Sequence, residues 1–286
     1  MSNVNLNNAK EKKNDEFYTL MEDIEKELPL YKKHFEGKVV YCNCDNPNIS
    51  NFFKYFVDNF SELKIKKLYA TGYRANSNGI KGEYDGTTVK ITEMNGNGSF
   101  CSEEALELFE ESDIIVTNPP FSLWRLYFEQ VQTYNKKFLI LGSILGIVTE
   151  KAFPYLVENK VWVGQNIVKR FRKPDGSYQD IGNVMWFTNL EFDKQYTKLN
   201  LSKHFSPEEY PKIDNSDIIN VNKSKDIPID YDGIMAVPVS FLRFYNPNEY
   251  ELLGGCFHKQ NGKYDLSTPK VNGKDLFKRL AIRRRA

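Results

Sequence analysis

Apolar residues recur at Phe17, Leu20, Met21, Ile24 and Leu28, the spacing of one helical face, and predict a helix over residues 16–35. After Gly37 the pattern changes to short apolar runs separated by polar turns. Buried strands are predicted at 38–42, 67–70, 113–117 and 137–141, with a short strand at 87–92 and another opening at 161–163. Helices are predicted between them: one capped by Ser50 and running through Phe52, Phe53, Phe56 and Phe60, one starting at Ser102, one over 122–134 and one over 149–158. Residues 71–86 are rich in Gly and Asn and predict a loop. Pro174-Asp-Gly-Ser177 is a turn signal, and with the apolar stretch 183–188 it predicts a β-hairpin at the sheet edge.

Strands alternating with helices, each strand nearly all apolar, imply an α/β fold with a mostly parallel, doubly wound sheet and an antiparallel edge hairpin. Beyond about residue 191 the pattern gives way to Asn, Lys, Asp and Pro. The stretches 250–256 and 279–285 give this region an irregular, β-rich character. Residues 1–14 are polar, without periodicity, and predict a mobile arm.

Composition changes this picture little. A chain of 286 residues with 41% hydrophobic residues can build a sizeable core. No apolar run approaches the roughly 20 residues a membrane span needs, and no apolar N-terminal stretch is present, so a cytoplasmic protein is expected. Cys42, Cys44, Cys101 and Cys256 have no metal-site spacing and are expected as free thiols, with no metal. The net charge of +1 does not announce a nucleic-acid binder, so any attraction to DNA must be local. Two local excesses exist. Residues 258–286 hold nine Lys/Arg against two Asp, and Lys169, Arg170, Arg172 and Lys173 flank the predicted hairpin turn. Such clusters suit phosphate contacts, and they also suit a solvated surface.

The candidate chemistry lies in Asn118-Pro119-Pro120-Phe121, placed where the fourth strand ends and a helix begins. In open α/β sheets, ligands bind at the carboxyl ends of strands. An exocyclic amine conjugated to a ring is a weak nucleophile, and two acceptors aimed at its N–H groups favour the pyramidal form that attacks a methyl sulfonium. The Asn118 side-chain carbonyl and the Pro119 backbone carbonyl could be those acceptors. Consecutive prolines fix the directions of the carbonyls, and Phe121 offers a flat face to an extruded base. The same string also reads as a strand-to-helix turn with Phe121 in the core.

Around this segment the sequence resembles the EcoRI-type adenine-specific DNA methyltransferases. The resemblance rests on Asp15-Glu-Phe-Tyr-Thr19, Val40-Tyr-Cys-Asn-Cys-Asp-Asn-Pro47, Ser50-Asn-Phe-Phe-Lys-Tyr-Phe56 and Asp113-Ile-Ile-Val-Thr-Asn-Pro-Pro-Phe-Ser122. It continues in Ile181-Gly-Asn-Val-Met-Trp-Phe-Thr-Asn189, Pro238-Val-Ser-Phe-Leu242 and Tyr245-Asn-Pro247, and covers nearly the whole chain. It implies a Rossmann-like methyltransferase fold, S-adenosylmethionine as methyl donor, and duplex DNA with a flipped adenine as substrate. Asp15, Phe17, Tyr18 and Thr19 would line the methionine end of the cofactor. Asn43, Asp45 and Pro47 would form the loop after the first strand, with Asp45 either bonding the cofactor ammonium or orienting the loop. Asn97, in Gly96-Asn-Gly98, stands where a contact to the cofactor adenine is expected.

Two departures accompany the resemblance. The chain has no G-x-G-x-x-G, and Ala70-Thr-Gly-Tyr73 stands where an acidic residue often holds the ribose. The implied organisation is an N-terminal arm and helix over 1–37, a catalytic domain over 38–190 and a target-recognition region over 191–286. A monomer is expected, and a cognate restriction endonuclease could belong to the same system without binding physically. Two other readings share these residues: methylation of another planar amine or amide, on RNA or a protein glutamine, and a DNA-binding module without turnover.

Overall fold

The computed structural model describes residues 17–255 and 266–285. Asp15, Cys256, the N-terminal arm and part of the basic C-terminal stretch lie outside the described residues. The chain divides into two compact units. One runs through Ser143 and includes Gly164–Lys194, and the other comprises Ile144–Val163 and the chain from Gln195.

The first unit is built on a nine-stranded sheet. Its strands are β1 (Tyr18–Thr19), β2 (Val39–Cys42), β3 (Lys67–Gly72), β4 (Ile80–Tyr84) and β5 (Lys90–Glu93), then β6 (Ile114–Thr117), β7 (Lys137–Ser143), β8 (Trp162–Arg172) and β9 (Tyr178–Thr188). The spatial order is β1-β8-β9-β7-β6-β2-β3-β4-β5. The four central strands, β7-β6-β2-β3, are parallel. Antiparallel strands extend them on both sides, β4 and β5 beyond β3, and β9 beside β7.

Burial on both faces explains why β2 and β6 carry no polar alternation: every residue of both is buried. One face packs Val40, Cys42, Leu68, Ile114 and Val116 against the helices α1 (Met21–Glu27), α2 (Lys32–Phe35) and α3 (Asn51–Asp58). On the opposite face Tyr41 meets Phe109 of α4 (Glu103–Glu111) at 6.5 Å. Phe138 meets Phe128 of α5 (Trp124–Thr133) at 6.1 Å on that side. The chain leaves β2 toward β3, then returns across the sheet to β6. The strand order therefore reverses between β2 and β6, and a crevice opens there at the carboxyl ends.

The structure corrects four local expectations. The helix expected over 16–35 begins only at Met21. Tyr18 and Thr19 pair antiparallel with Arg172 and Phe171, and Pro29 breaks the remainder through a 3-10 turn, Leu28–Tyr31. The loop expected over 71–86 contains β4, whose Gly82 read as a turn signal but instead admits Pro47, which stands 2.5 Å from where a Cβ would lie. The helix expected over 149–158 shrinks to Phe153–Val157, with Pro154 in its first turn. The hairpin β8–β9 is not the outermost element, because β1 pairs outside it.

The second unit holds a four-stranded sheet of β10 (Ile219–Asn220), β11 (Met235–Pro238), β12 (Tyr250–Gly254) and β15 (Arg279–Arg284), in the order β10-β11-β15-β12. A small hairpin, β13 (Lys270–Val271) and β14 (Lys274–Asp275), precedes β15. Ile213, Ile218, Ala236, Leu266 and Ala281 form its core. Among the described residues, no helix is long and apolar enough to cross a membrane.

Candidate active site

Three loops meet at the switch point. The loop after β2 carries Asn43 to Pro47, the strand end of β3 carries Gly72 and Tyr73, and the loop after β6 carries Asn118 to Phe121. Together with Phe17, Tyr18 and the segment 98–100 they line a cleft of about 430 Å³. That volume falls within the range of small-molecule and cofactor sites.

Asp45 ties two of these loops together. Its carboxylate accepts hydrogen bonds from the hydroxyls of Ser50 and Thr117 and from the Asn118 backbone N–H. Thr117 in turn accepts from the Cys44 N–H at 3.2 Å, and Ser50 caps α3 by accepting from the N–H groups of Phe52 and Phe53. Burial outweighs these donors and pushes the Asp45 pKa up to about 6. These bonds join the loop after β2 to the loop after β6, and Asp45 also lines the cleft.

Asn118 is held by one end only. Its Nδ2 donates to the Phe17 carbonyl at 2.7 Å. Its Oδ1 is buried without a partner. Leaving an acceptor buried and unpaired costs on the order of 1–3 kcal/mol, and at the wall of a cleft such an atom is open to a donor from a ligand. Beside it, the Phe121 ring lies near-parallel to Phe17 at 5.9 Å and edge-on to Phe171 at 5.8 Å. Phe121 therefore belongs both to the cleft wall and to an aromatic cluster.

Asn43 forms the adjoining wall. The Tyr127 hydroxyl donates to its Oδ1, and its backbone carbonyl accepts from Thr71 Oγ1 at 3.2 Å. Its Nδ2 is a second buried polar atom without a partner. Cys42, Cys44 and Cys101 are free thiols, and burial raises the Cys42 and Cys44 pKa values, so Cys44 in the cleft wall is a poor nucleophile.

The structure does not bring all the expected residues to the cleft. Thr19 is buried, its carbonyl accepting from Asn51 Nδ2 at 2.8 Å. Pro47 packs under β4. Asn97 spends its side-chain carbonyl on the Ser99 N–H at 3.1 Å, in a turn, while its neighbours Gly98, Ser99 and Phe100 line the cleft. Lys169, Arg170 and Arg172 lie exposed on β8, and Lys173 opens the turn to β9. Arg170 makes a two-pronged pair with Asp180 at 2.7 and 3.1 Å. Pro174 of that turn lines the cleft.

Sequence reasoning missed Gly72, Tyr73, Phe100 and Pro174. The glycines normally sought in the loop after the first strand sit elsewhere. A Cβ on Gly72 would lie 2.8 Å from Asn46, and Gly98, at φ +72°, would drive a Cβ to 2.5 Å from the Gly72 carbonyl. Close approach of the loops is thus permitted from the far side of the cleft, and the available signal was the glycine content of 71–86 and 96–98.

A parallel-centred α/β sheet with a cleft at its switch point, walled by an Asn-Pro-Pro-aromatic loop, is the arrangement of a methyltransferase-type α/β fold. Comparison with known proteins makes this specific: the chain belongs to the family described as adenine-specific methyltransferase EcoRI, whose model matches residues 5–176 and 168–285. The Type II methyltransferase M.EcoRI of Escherichia coli is 41% identical across 99% of this chain and 97% of its own length. M.MgeORF184P of Mycoplasma genitalium is 37% identical across 93% of this chain and 90% of its own. M.MpnI of Mycoplasma pneumoniae is 38% identical, covering 93% of this chain and 89% of its own. No solved structure gives a match.

Proposed function

We propose that this chain is a site-specific DNA methyltransferase that moves a methyl group from S-adenosylmethionine to the exocyclic N6 of an adenine flipped out of duplex DNA. The observation that carries this reading is the Asn118 amide, anchored through Nδ2 and unpartnered at a buried Oδ1. The donor bond to Phe17 fixes which end of the amide is the acceptor.

When bound, S-adenosylmethionine supplies an electrophilic methyl on sulfur. Asn118 Oδ1 and the Pro119 carbonyl accept from the two N–H groups of the incoming amine, localising its lone pair. The Phe121 ring offers a stacking face to the base. Asp45 holds the Asn118 loop against the loop after β2, which keeps these acceptors in register. The wall from Phe17 and Tyr18 through Asn43 to Tyr73 and Phe100 suits an extended cofactor with aromatic surface at both ends and an unpartnered amide donor between. Residues beyond about 191 supply the base-reading surface, and the basic residues of the β8–β9 turn supply phosphate contacts. A restriction endonuclease of the same specificity would make the modification protective.

The test is methyl transfer from labelled S-adenosylmethionine to duplex DNA, followed by nucleoside analysis for N6-methyladenine. Transfer to protein or RNA alone, or DNA binding without transfer, would overturn the reading. Asn118→Ala is expected to lower turnover at least ~100-fold, the usual cost of one preorganised acceptor or donor at a reacting centre. Its affinity for S-adenosylmethionine should stay near the parent value.

A further inference from the structure

β9 is held by the sheet along only half its length. Val184–Thr188 pair with β7, whereas its outer residues from Tyr178 have no partner there. The pairing stops where β7 ends, at Ser143 opposite Val184, and the next residue out, Asn183, has φ +63° inside the strand. From that point β8 and β9 form a two-stranded arm, held close to its tip because Phe171 and Arg172, next to the turn, pair with Thr19 and Tyr18, and because the Phe171 ring packs against Phe17 and Phe121.

The tip of the arm is stiff. The Lys173 N–H donates to the Ser177 carbonyl at 2.8 Å, the Gly176 N–H to the Lys173 carbonyl at 2.9 Å, and both the N–H and Oγ of Ser177 to Asp175 Oδ1. Just beyond this turn stands Tyr178, 61% exposed and followed by Gln179 and Asp180, which are exposed as well. The other side of the turn is basic, and Pro174 reaches the cleft wall.

A rigid arm with cationic flanks and a bare aromatic ring, held beside the cleft proposed to receive a base, is fitted to a double helix. We infer that this arm enters the DNA groove at the target site, and that the Tyr178 ring inserts into the base stack to fill the space left by the extruded adenine. Apolar and aromatic wedges of this kind offset the cost of unstacking, a few kcal/mol per step. Tyr178 is a positioning residue here. It acts on the duplex and never on the methyl group. The inference rests on the proposed function.

The experiment uses the full chain and an oligonucleotide duplex carrying its methylation site, mapped beforehand by locating N6-methyladenine in DNA from an expressing host. The target is read in two forms: fully paired, and with an abasic position opposite the adenine. On the paired duplex, Tyr178→Ala should lose at least ~10-fold in kcat/KM for DNA, with S-adenosylmethionine affinity unchanged, and Tyr178→Phe should retain activity. On the abasic duplex, where pairing no longer opposes extrusion, Tyr178→Ala should recover to within about threefold of the parent. With 2-aminopurine at the target, the variant should show a diminished fluorescence rise. Parental turnover by Tyr178→Ala on the paired duplex would overturn the wedge, as would an equal loss on both duplexes. Failure of the parent enzyme to form N6-methyladenine at all would overturn the proposed function instead.

Discussion

At the residue scale, Asp45 links chemistry to pH. Its carboxylate receives three donors that reward the ionised form, yet burial lifts its pKa from 3.8 to about 6. Because the folded-state pKa lies above the unfolded value, folding binds a proton between those limits. The contribution to stability is complete below about pH 4 and declines as pH rises through about 6, by about 3 kcal/mol in total. Function runs the other way, since only the carboxylate accepts from Ser50, Thr117 and Asn118 at once. Methyl transfer should therefore fall as pH drops below about 6. Asp45→Asn should flatten that acid limb and lower the plateau, because an amide offers one acceptor oxygen where the carboxylate offers two. A pH–rate profile and a thermal-unfolding series at pH 4–7 on both proteins check the two signs. An unchanged acid limb in Asp45→Asn would assign it to another group.

At the element scale, two buried features decide whether the cleft keeps its shape. Glu27, fully buried at the end of α1, accepts from the Tyr31 hydroxyl, the N–H groups of Gln165 and Asn166, and the Asn166 side chain. It therefore ties α1 to β8, the strand on which β1 hangs. Glu27→Ala strands two backbone donors and should cost on the order of 3 kcal/mol, read as a lower urea midpoint. Gly98→Ala places a methyl group against the Gly72 carbonyl at a φ that L residues avoid, and should cost about 1–3 kcal/mol. It should also raise the KM for S-adenosylmethionine, because the displaced loop walls the cleft.

These elements also show what the sequence disclosed and what it hid. β2 and β6 were readable because burial on both faces leaves an unbroken apolar run. The Ser50 cap was readable because a hydroxyl at that position has one local use. β4 was hidden because its glycine, needed for Pro47 to approach, is a turn residue in any local reading. β1 was hidden because two residues pair with a strand some 150 positions later, and the flanking Phe17 and Leu20 continue the helical face of α1. In the site, the place of Asn118 and its prolines at the end of a buried strand, in the wall of a cleft, was legible. The direction of the Asn118 amide was not, since it depends on the carbonyl of Phe17, a hundred residues away in sequence.

At the scale of the whole molecule, charge is the constraint. A net charge of +1 gives no general attraction to a polyanion, so affinity for duplex DNA must come from a few placed cations. Many cations are already engaged: Arg170 with Asp180, Lys270 with Asp275 at 3.2 Å, and Arg283 with Glu251 at 2.7 Å. Lys169 and Arg172 are exposed on the β8 arm, next to the cleft. Each phosphate contact proposed for them would release counterion, so log K for DNA should fall against log salt with a slope of about −0.9 per contact. Replacing both by Ala should make that slope shallower by roughly 2 and weaken binding on all duplexes alike. The preference for the methylation site should stay unchanged, because phosphate contacts carry no sequence information. Titrations at four salt concentrations, with specific and unrelated duplexes, measure both quantities. A slope equal to that of the parent would remove the arm from the interface. A lost site preference with the slope intact would turn these two residues from phosphate contacts into readers of bases.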